Sequence, residues 1–331
     1  MDEPRVFVSG IWRRTAKSVL SCVAITAVSL GVVSGVTKVH ELRLPSVDLS
    51  SGRETAQRFS SSARRGEELH FAVATMVGAE ATFSAYQRLV RTIARRVGRK
   101  EVFVLCPSYA DVRRALEQGR LDVALVCTGT YAYAYREGRI RLLVEPEFEQ
   151  GLDYRCLIIV PAGSTAQKPD DLRGKVMAFT DPESNTGFLV PSQMLAKRGW
   201  RSASFFGRIV FTGSHDRSIQ AVARAIVDAA AVDSLVWESV KGRDPLLTER
   251  VRVIWASEAF GPPPVVVPRD LDESVQDALR AAFVSLHESE EGRQLLSEIG
   301  IVRFVPARQD DYVTAVELYE RFRAQDDARW P

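Results

Sequence analysis

From Leu69 onward the chain alternates short apolar runs with longer stretches of helical periodicity, and this rhythm restricts its fold more than any other feature. "LHFAVAT" reads as a strand. "FSAYQRLVRTIARRVG" places Phe83, Tyr86, Leu89, Val90, Ile93 and Val97 on one helical face, and Gly98 stops it. "EVFVLC" is the next strand, "YADVRRALEQG" the next helix and "LDVALVC" the third strand. Strands apolar on both faces with helices between them predict an α/β fold built on a parallel sheet.

A second series follows the same rule. "DYRCLIIVP" predicts a strand, "DDLRGK" a short helix and "VMAFT" a strand. "RIVFTG" then leads into "SHDRSIQAVARAIV", where Ile219, Val222, Ala223, Ile226 and Val227 recur at helical spacing. "DAAAVDS" and "RVRVIWAS" are further strands. Beyond "GPPPVVVP", the pattern from Asp272 to Leu296 predicts a helix, followed by strand "VRFVP" and a closing helix from Asp311. Two α/β units joined by crossings near Tyr154 and after Phe260 would leave a cleft, the usual place for a small ligand. The expected division is 69–155 plus 260–326 for the first lobe and 156–259 for the second.

Within that cleft, two strand-to-helix corners carry small polar residues. One is "DPESNTGFLVP", which turns from serine, asparagine, threonine and glycine straight into an apolar run. A tetrahedral oxyanion needs donors from several directions, and hydroxyls, amides and free N–H groups at a helix start supply them. Ser184, Asn185 and Thr186 offer such donors in succession, and Gly187 lets backbone approach closely. A plain helix cap at Ser184 is the alternative. The second corner, "TGSHDRS", sets His215 at a helix start, either as a donor to the same oxygens, with added charge if protonated, or as a surface histidine. Ser214, His215 and Asp216 are sequence neighbours and cannot converge as a catalytic triad. With no P-loop, zinc helix or G-x-S-x-G elbow, the sequence supports neither an enzyme nor a cofactor.

The amino end sets the expected compartment. Arg5, Arg13, Arg14 and Lys17 precede Ser18 to Thr37, a stretch without a charge. At ~1.5 Å per residue this crosses a hydrocarbon core of ~30 Å. It predicts a cytoplasmic tail (1–17) followed by an uncleaved anchor or a cleaved export signal (18–37), with a buried helix of a soluble protein as the remaining alternative. A polar, serine-rich tether (38–68) would follow, and in the first two cases the folded body would lie outside the cytoplasm, on the membrane face or free in the periplasm.

The remaining composition narrows the function. A net charge of +2 over 331 residues argues against nucleic acid as a partner. The four cysteines, Cys22, Cys106, Cys127 and Cys156, show no metal spacing; buried free thiols are expected, with a Cys106–Cys127 bridge as the alternative.

Taken in order, "DDLRGK", "DPESNTGFLVP", "TGSHDRSIQAV", "VDAAAVDS" and "VIWAS" resemble the phosphate/phosphite/phosphonate-binding proteins of ABC transporters, from about Leu69 to about Tyr319. The resemblance implies a two-lobed type II periplasmic binding protein fold with a two-strand hinge that closes over its ligand. It implies that Ser184, Asn185 and Thr186 match a Ser-Thr-Ser that holds phosphoryl oxygens, and that His215 matches a histidine on the same group. Tyr109 and Tyr154 match tyrosines from the first lobe and the hinge. Relatives that prefer aminoalkylphosphonates carry two acidic groups where an ungapped count here places Leu235 and Pro263. Asp233 stands close enough in sequence to act in their place, or serves as a helix cap or hinge group. These departures favour phosphate, phosphite or a small phosphonate, delivered to an ABC permease. A membrane-anchored sensor reporting to a signalling partner is the other function the same fold could serve.

Overall fold

The computed structural model describes residues 66–325, apart from 75, 77, 78, 150 and 151. The expected tail, anchor or signal segment and most of the tether therefore lie outside the described residues, as does Cys22. Among the described residues no helix is long and apolar enough to cross a membrane.

The first series opens with β1 (Glu68–Val73), α1 (Ala79–Arg96), β2 (Lys100–Val104) and α2 (Tyr109–Glu117). It continues through β3 (Val123–Leu125), α3 (Thr128–Glu137) and β4 (Ile140–Glu147). Period-two alternation sends β1 into two cores: Leu69, Phe71 and Val73 join one cluster, while Ala72 and Ala74 join another around Tyr109 and Val112. Each large side chain so buried contributes ~1.5–3 kcal/mol. Helix α1 ends where expected, with Gly98 at φ 69°.

The second series holds β5 (Cys156–Pro161), β6 (Val176–Phe179), a π-turn (Asn185–Leu189) running into α4 (Val190–Ala196), and α5 (Ser202–Phe205). After it come β7 (Arg208–Phe211), α6 (His215–Ala223), β8 (Ala229–Asp233), α7 (Ser234–Arg243), α8 (Pro245–Thr248) and β9 (Val251–Ala256). The chain returns through β10 (Val265–Pro268), α9 (Glu273–Val284), α10 (Glu290–Glu298), β11 (Arg303–Pro306) and α11 (Val313–Gln325).

Two sheets result, ordered β11-β4-β10-β3-β1-β2 and β7-β6-β8-β5-β9. Both are mixed, which corrects the expectation of a purely parallel sheet. β1, β2 and β3 run parallel, as do β6, β7 and β8. However, β5 lies antiparallel to β8 and β9, and β10 antiparallel to β3 and β4. Each inserted strand is the first the chain makes after crossing between sheets, so it enters from the opposite end. The crossings run side by side: Phe260 N–H donates to Tyr154 O at 2.9 Å and Ser257 N–H to Cys156 O at 3.0 Å. This is the two-strand hinge of a type II periplasmic binding protein fold.

Two helix readings change. The helix expected to reach Val227 stops at Ala223, because Ala225 takes φ 52°, leaving Ile226 exposed at 62%. The helix expected from Asp272 to Leu296 breaks into α9, a 3-10 turn (Leu286–Glu288) and α10, with Ser289 Oγ accepting Gly292 N–H at 3.1 Å to restart it. Helix α3, "TGTYAYAYRE", alternates tyrosine and alanine with a strand-like period, yet is helical because both sides find partners. Tyr131 meets Tyr135 and Tyr312 on one side, and Tyr133 lies 4.0 Å from Tyr319 on the other. Cys106, Cys127 and Cys156 are buried and unbridged, so the disulfide alternative does not hold.

Candidate functional site

Strand β6 ends at Phe179, and the chain then folds back on itself before the π-turn. Asp181 O accepts Ser184 N–H at 2.9 Å, and Ser184 Oγ accepts Gly187 N–H at 3.0 Å. Ser184 is therefore the cap of its helix, with its hydroxyl proton still to donate. Asn185 and Thr186, which follow it, are fully buried. The Asn185 N–H reaches across to Cys127 Sγ at 3.5 Å, so the cap of α3 in the first lobe meets the helix start of the second. Gly129 makes this approach possible: a Cβ there would sit 2.2 Å from Glu183 O and 2.6 Å from Asn185 N.

The second corner delivers His215, also fully buried. Its backbone N–H donates to Met76 O at 2.9 Å. Its Nδ1 receives the Asp233 N–H at 3.1 Å and lies 3.0 Å from Thr180 Oγ1. Because Nδ1 is an acceptor, the proton of the neutral ring sits on Nε2. Burial pulls the imidazole from 6.5 down to about 3. His215 is thus a neutral donor, and the added charge considered for it from sequence does not arise.

The two tyrosines come in from the other lobe and the hinge. Tyr109 starts α2, and its N–H points at Asp181 Oδ2 from 3.4 Å. Burial pushes its phenol well above the ordinary value, and Cys127, Asp181 and Asp233 push it the same way. The Tyr154 hydroxyl lies 3.7 Å from Cys127 Sγ. It is raised by burial and then by Cys127 and Asp233, and drawn back by the Thr186 hydroxyl, which stands near the phenol without reaching hydrogen-bond geometry. Asp233 caps α7, its Oδ1 accepting the N–H groups of Leu235 at 2.7 Å and Val236 at 3.3 Å. Burial lifts its carboxyl from 3.8 to about 7.

These contacts form one cluster: Tyr154 to Cys127 to Asn185, Ser184 to Gly187 to Thr180 to His215, and His215 to Asp233. Within it, five buried atoms of four residues have no hydrogen-bond partner among the described residues: Tyr109 Oη, Asn185 Nδ2 and Oδ1, Thr186 Oγ1 and His215 Nε2. Buried polar atoms are nearly always paired, and a concentration of unpaired ones is a place where something else bonds. The donors are neutral, and the starts of α2, α3, α6 and the 185–196 helix add partial positive charge. The arrangement suits a compact oxyanion, and the Cys127 thiol beside it is raised by burial.

The model of the family described as "ABC transporter, phosphonate, periplasmic substrate-binding protein" matches residues 71–312. The chain belongs to that family. Among its relatives, the phosphonates-binding periplasmic protein of Escherichia coli is 25% identical over 66% of this chain and 69% of its own. The phosphate-import protein PhnD of Mycolicibacterium smegmatis is 25% identical over 60% of this chain and 66% of its own. A binding protein component of an ABC phosphonate transporter from Pseudomonas aeruginosa superposes with a TM-score of 0.73 at 20% identity, covering 79% of this chain and 88% of that one. PhnD1 from Prochlorococcus marinus, solved with methylphosphonate, gives 0.71 at 17% identity over 77% and 98%.

All seven residues singled out from sequence fall in or beside this cluster. Sequence reasoning missed four that help build it: Thr180, Cys127, Gly129 and Met76. The sequence marks Cys127 as a buried thiol or a partner of Cys106, and Gly129 carries no signal short of knowing which helix it faces.

Proposed function

We propose that the chain captures a phosphorus oxyanion, namely phosphate, phosphite or a small phosphonate, between its lobes. It presents the ligand to an ABC transporter permease on the outer face of the membrane. The observation that carries this reading is the set of five unpaired buried atoms at Tyr109, Asn185, Thr186 and His215. Ser184 would add its hydroxyl proton, and Tyr154 would close the hinge side. Asn185 contributes one donor and one acceptor, so a ligand oxygen that still carries a proton is matched there while sulfate is not. The lobes would divide at 155/156 and 259/260, with α11 lying across both, since Tyr319 packs on Tyr133 and Phe322 on Phe188. The uncharged stretch from Ser18 to Thr37 behind four cations supports tethering to the membrane.

Calorimetry of the full chain against phosphate, phosphite, methylphosphonate and sulfate tests this. The expected result is binding of at least one phosphorus ligand at micromolar Kd or tighter (roughly −8 kcal/mol) and much weaker binding of sulfate. Failure of every phosphorus ligand to bind would overturn it.

A further inference from the structure

A cleft of about 650 Å³ opens beside the oxyanion seat, well inside the ~300–1,000 Å³ span of small-molecule pockets. Met76 and Asp233 form part of its wall, and these are the two residues whose backbones hold His215. The cleft therefore borders the seat through these two residues. Its inner lining is apolar, with Leu125, Phe148, Leu235 and Pro263 facing the space together with Tyr86. Burial, and after it the charge of Asp233, pushes the Tyr86 phenol up to about 12, so the ring is neutral.

The ionisable group at the inner end is Asp233, whose Oδ1 is engaged by the α7 backbone. Other charges line only the rim, where several pair among themselves or with neighbours. Arg293 bonds Glu290, Glu298 bonds Arg88, and Glu238 bonds Lys241. Glu149 and Arg243 complete the rim with one charge of each sign. An ammonium entering the inner cleft would face Leu235 and Pro263, and its one counter-charge there would be Asp233, whose Oδ1 is engaged by the α7 backbone and whose carboxyl burial raises to about 7. An unsubstituted oxyanion would fill the seat and leave the cleft to water.

We propose that the cleft receives the organic substituent of the ligand. The preferred ligands are phosphonates or phosphate monoesters bearing an uncharged apolar group of several carbons, the phosphoryl oxygens held in the seat and the hydrocarbon beyond Met76. This inference rests on the oxyanion seat proposed above, and its test separates the two.

The experiment is calorimetry of the full chain with phosphate, methylphosphonate, 2-aminoethylphosphonate and phenylphosphonate. Phenylphosphonate is expected to bind at least ~10-fold tighter than methylphosphonate, the scale of discrimination an apolar pocket provides, with 2-aminoethylphosphonate the weakest phosphonate. Leu235→Ala should weaken phenylphosphonate and leave phosphate unchanged, whereas Leu235→Glu, whose carboxylate would stand beside Asp233, should weaken both. If methylphosphonate, phosphate or 2-aminoethylphosphonate binds as tightly as phenylphosphonate, the cleft assignment is overturned while the seat stands. If none of the four binds, the seat fails and the inference fails with it.

Discussion

The backbone N–H of Asp233 points at His215 Nδ1 from 3.1 Å, and this bond determines what His215 can offer a ligand. It leaves the ring one proton, on Nε2, aimed into a buried space with no other partner. A neutral donor of this kind does not switch with pH in the physiological range, because burial holds its pKa at about 3. His215→Ala should therefore weaken ligand binding by ~10–100-fold, the worth of a hydrogen bond to a charged group. The ratio of variant to wild-type Kd should stay flat between pH ~5 and ~8. Calorimetry at several pH values measures both. A step in that ratio near the ordinary imidazole value would show that an imidazolium, and not a neutral ring, holds the ligand.

Asp233 behaves in the opposite sense. Its carboxyl is raised from 3.8 to about 7, so between those values the folded protein keeps a proton that the unfolded chain has lost. Stability from this group is thus present below about pH 4 and declines as pH rises to about 7. Asn retains the helix cap without the charge. Asp233→Asn should match wild type in thermal unfolding near pH 4 and exceed it above pH 7 by up to ~4 kcal/mol, each tenfold gain in proton affinity being worth ~1.4 kcal/mol. An anionic ligand also prefers the protonated carboxyl, so wild-type affinity should fall as pH passes 7 more steeply than that of the variant. Comparing the two proteins with one ligand cancels the ligand's own ionisation.

The Asp233–His215 bond marks the limit of what local residues announce. Leu69, Phe71 and Val73 announce a strand by alternation, and Ser184 to Gly187 announce a donor-rich corner, because both signals are local. The neutral state of His215 is invisible in "TGSHDRS", since it depends on the Asp233 amide eighteen positions on. The insertion of β5 and β10 against the parallel direction is equally hidden, because "DYRCLIIVP" carries no mark of its neighbours. Ile226 fits the helical spacing of Ile219 and Val222, yet the turn at Ala225 places it in solvent. Cys127 matters through Tyr154, 27 positions on, and Asn185, 58 positions on, and Gly129 through the Glu183 and Asn185 backbone, all beyond local sequence.

The same non-local logic applies to the ion pair across the lobes. Arg113 on α2 holds Glu183 Oε1 with Nε at 3.0 Å and Nη2 at 2.9 Å. Burial raises the Glu183 carboxyl and Arg113 pulls it back. Arg113→Met leaves a buried carboxylate uncompensated when the lobes meet, at ~1–3 kcal/mol. Ligand dissociation followed by stopped flow should be ~10-fold faster or more. Adding Glu183→Gln should recover part of the loss. No recovery in the double variant would mean that Arg113 acts through Glu117, its partner on the same helix.

Gly129 separates closure from folding most directly. It lies within α3, where alanine is intrinsically favoured over glycine by up to ~1 kcal/mol. Nothing in its own helix forbids a methyl group. The obstacle is across the cleft, where that methyl would stand 2.2 Å from Glu183 O and 2.6 Å from Asn185 N, both backbone atoms. Gly129→Ala should therefore unfold at the same temperature as wild type or slightly higher when ligand-free, while binding weakens by ~100-fold or more because the lobes cannot meet over the seat. Thermal scans with and without ligand read both effects on one sample. If affinity survives the Gly129→Ala substitution, the Cys127–Gly129 corner does not press on the Glu183–Asn185 backbone in the bound state. The seat would then be completed from the second lobe alone.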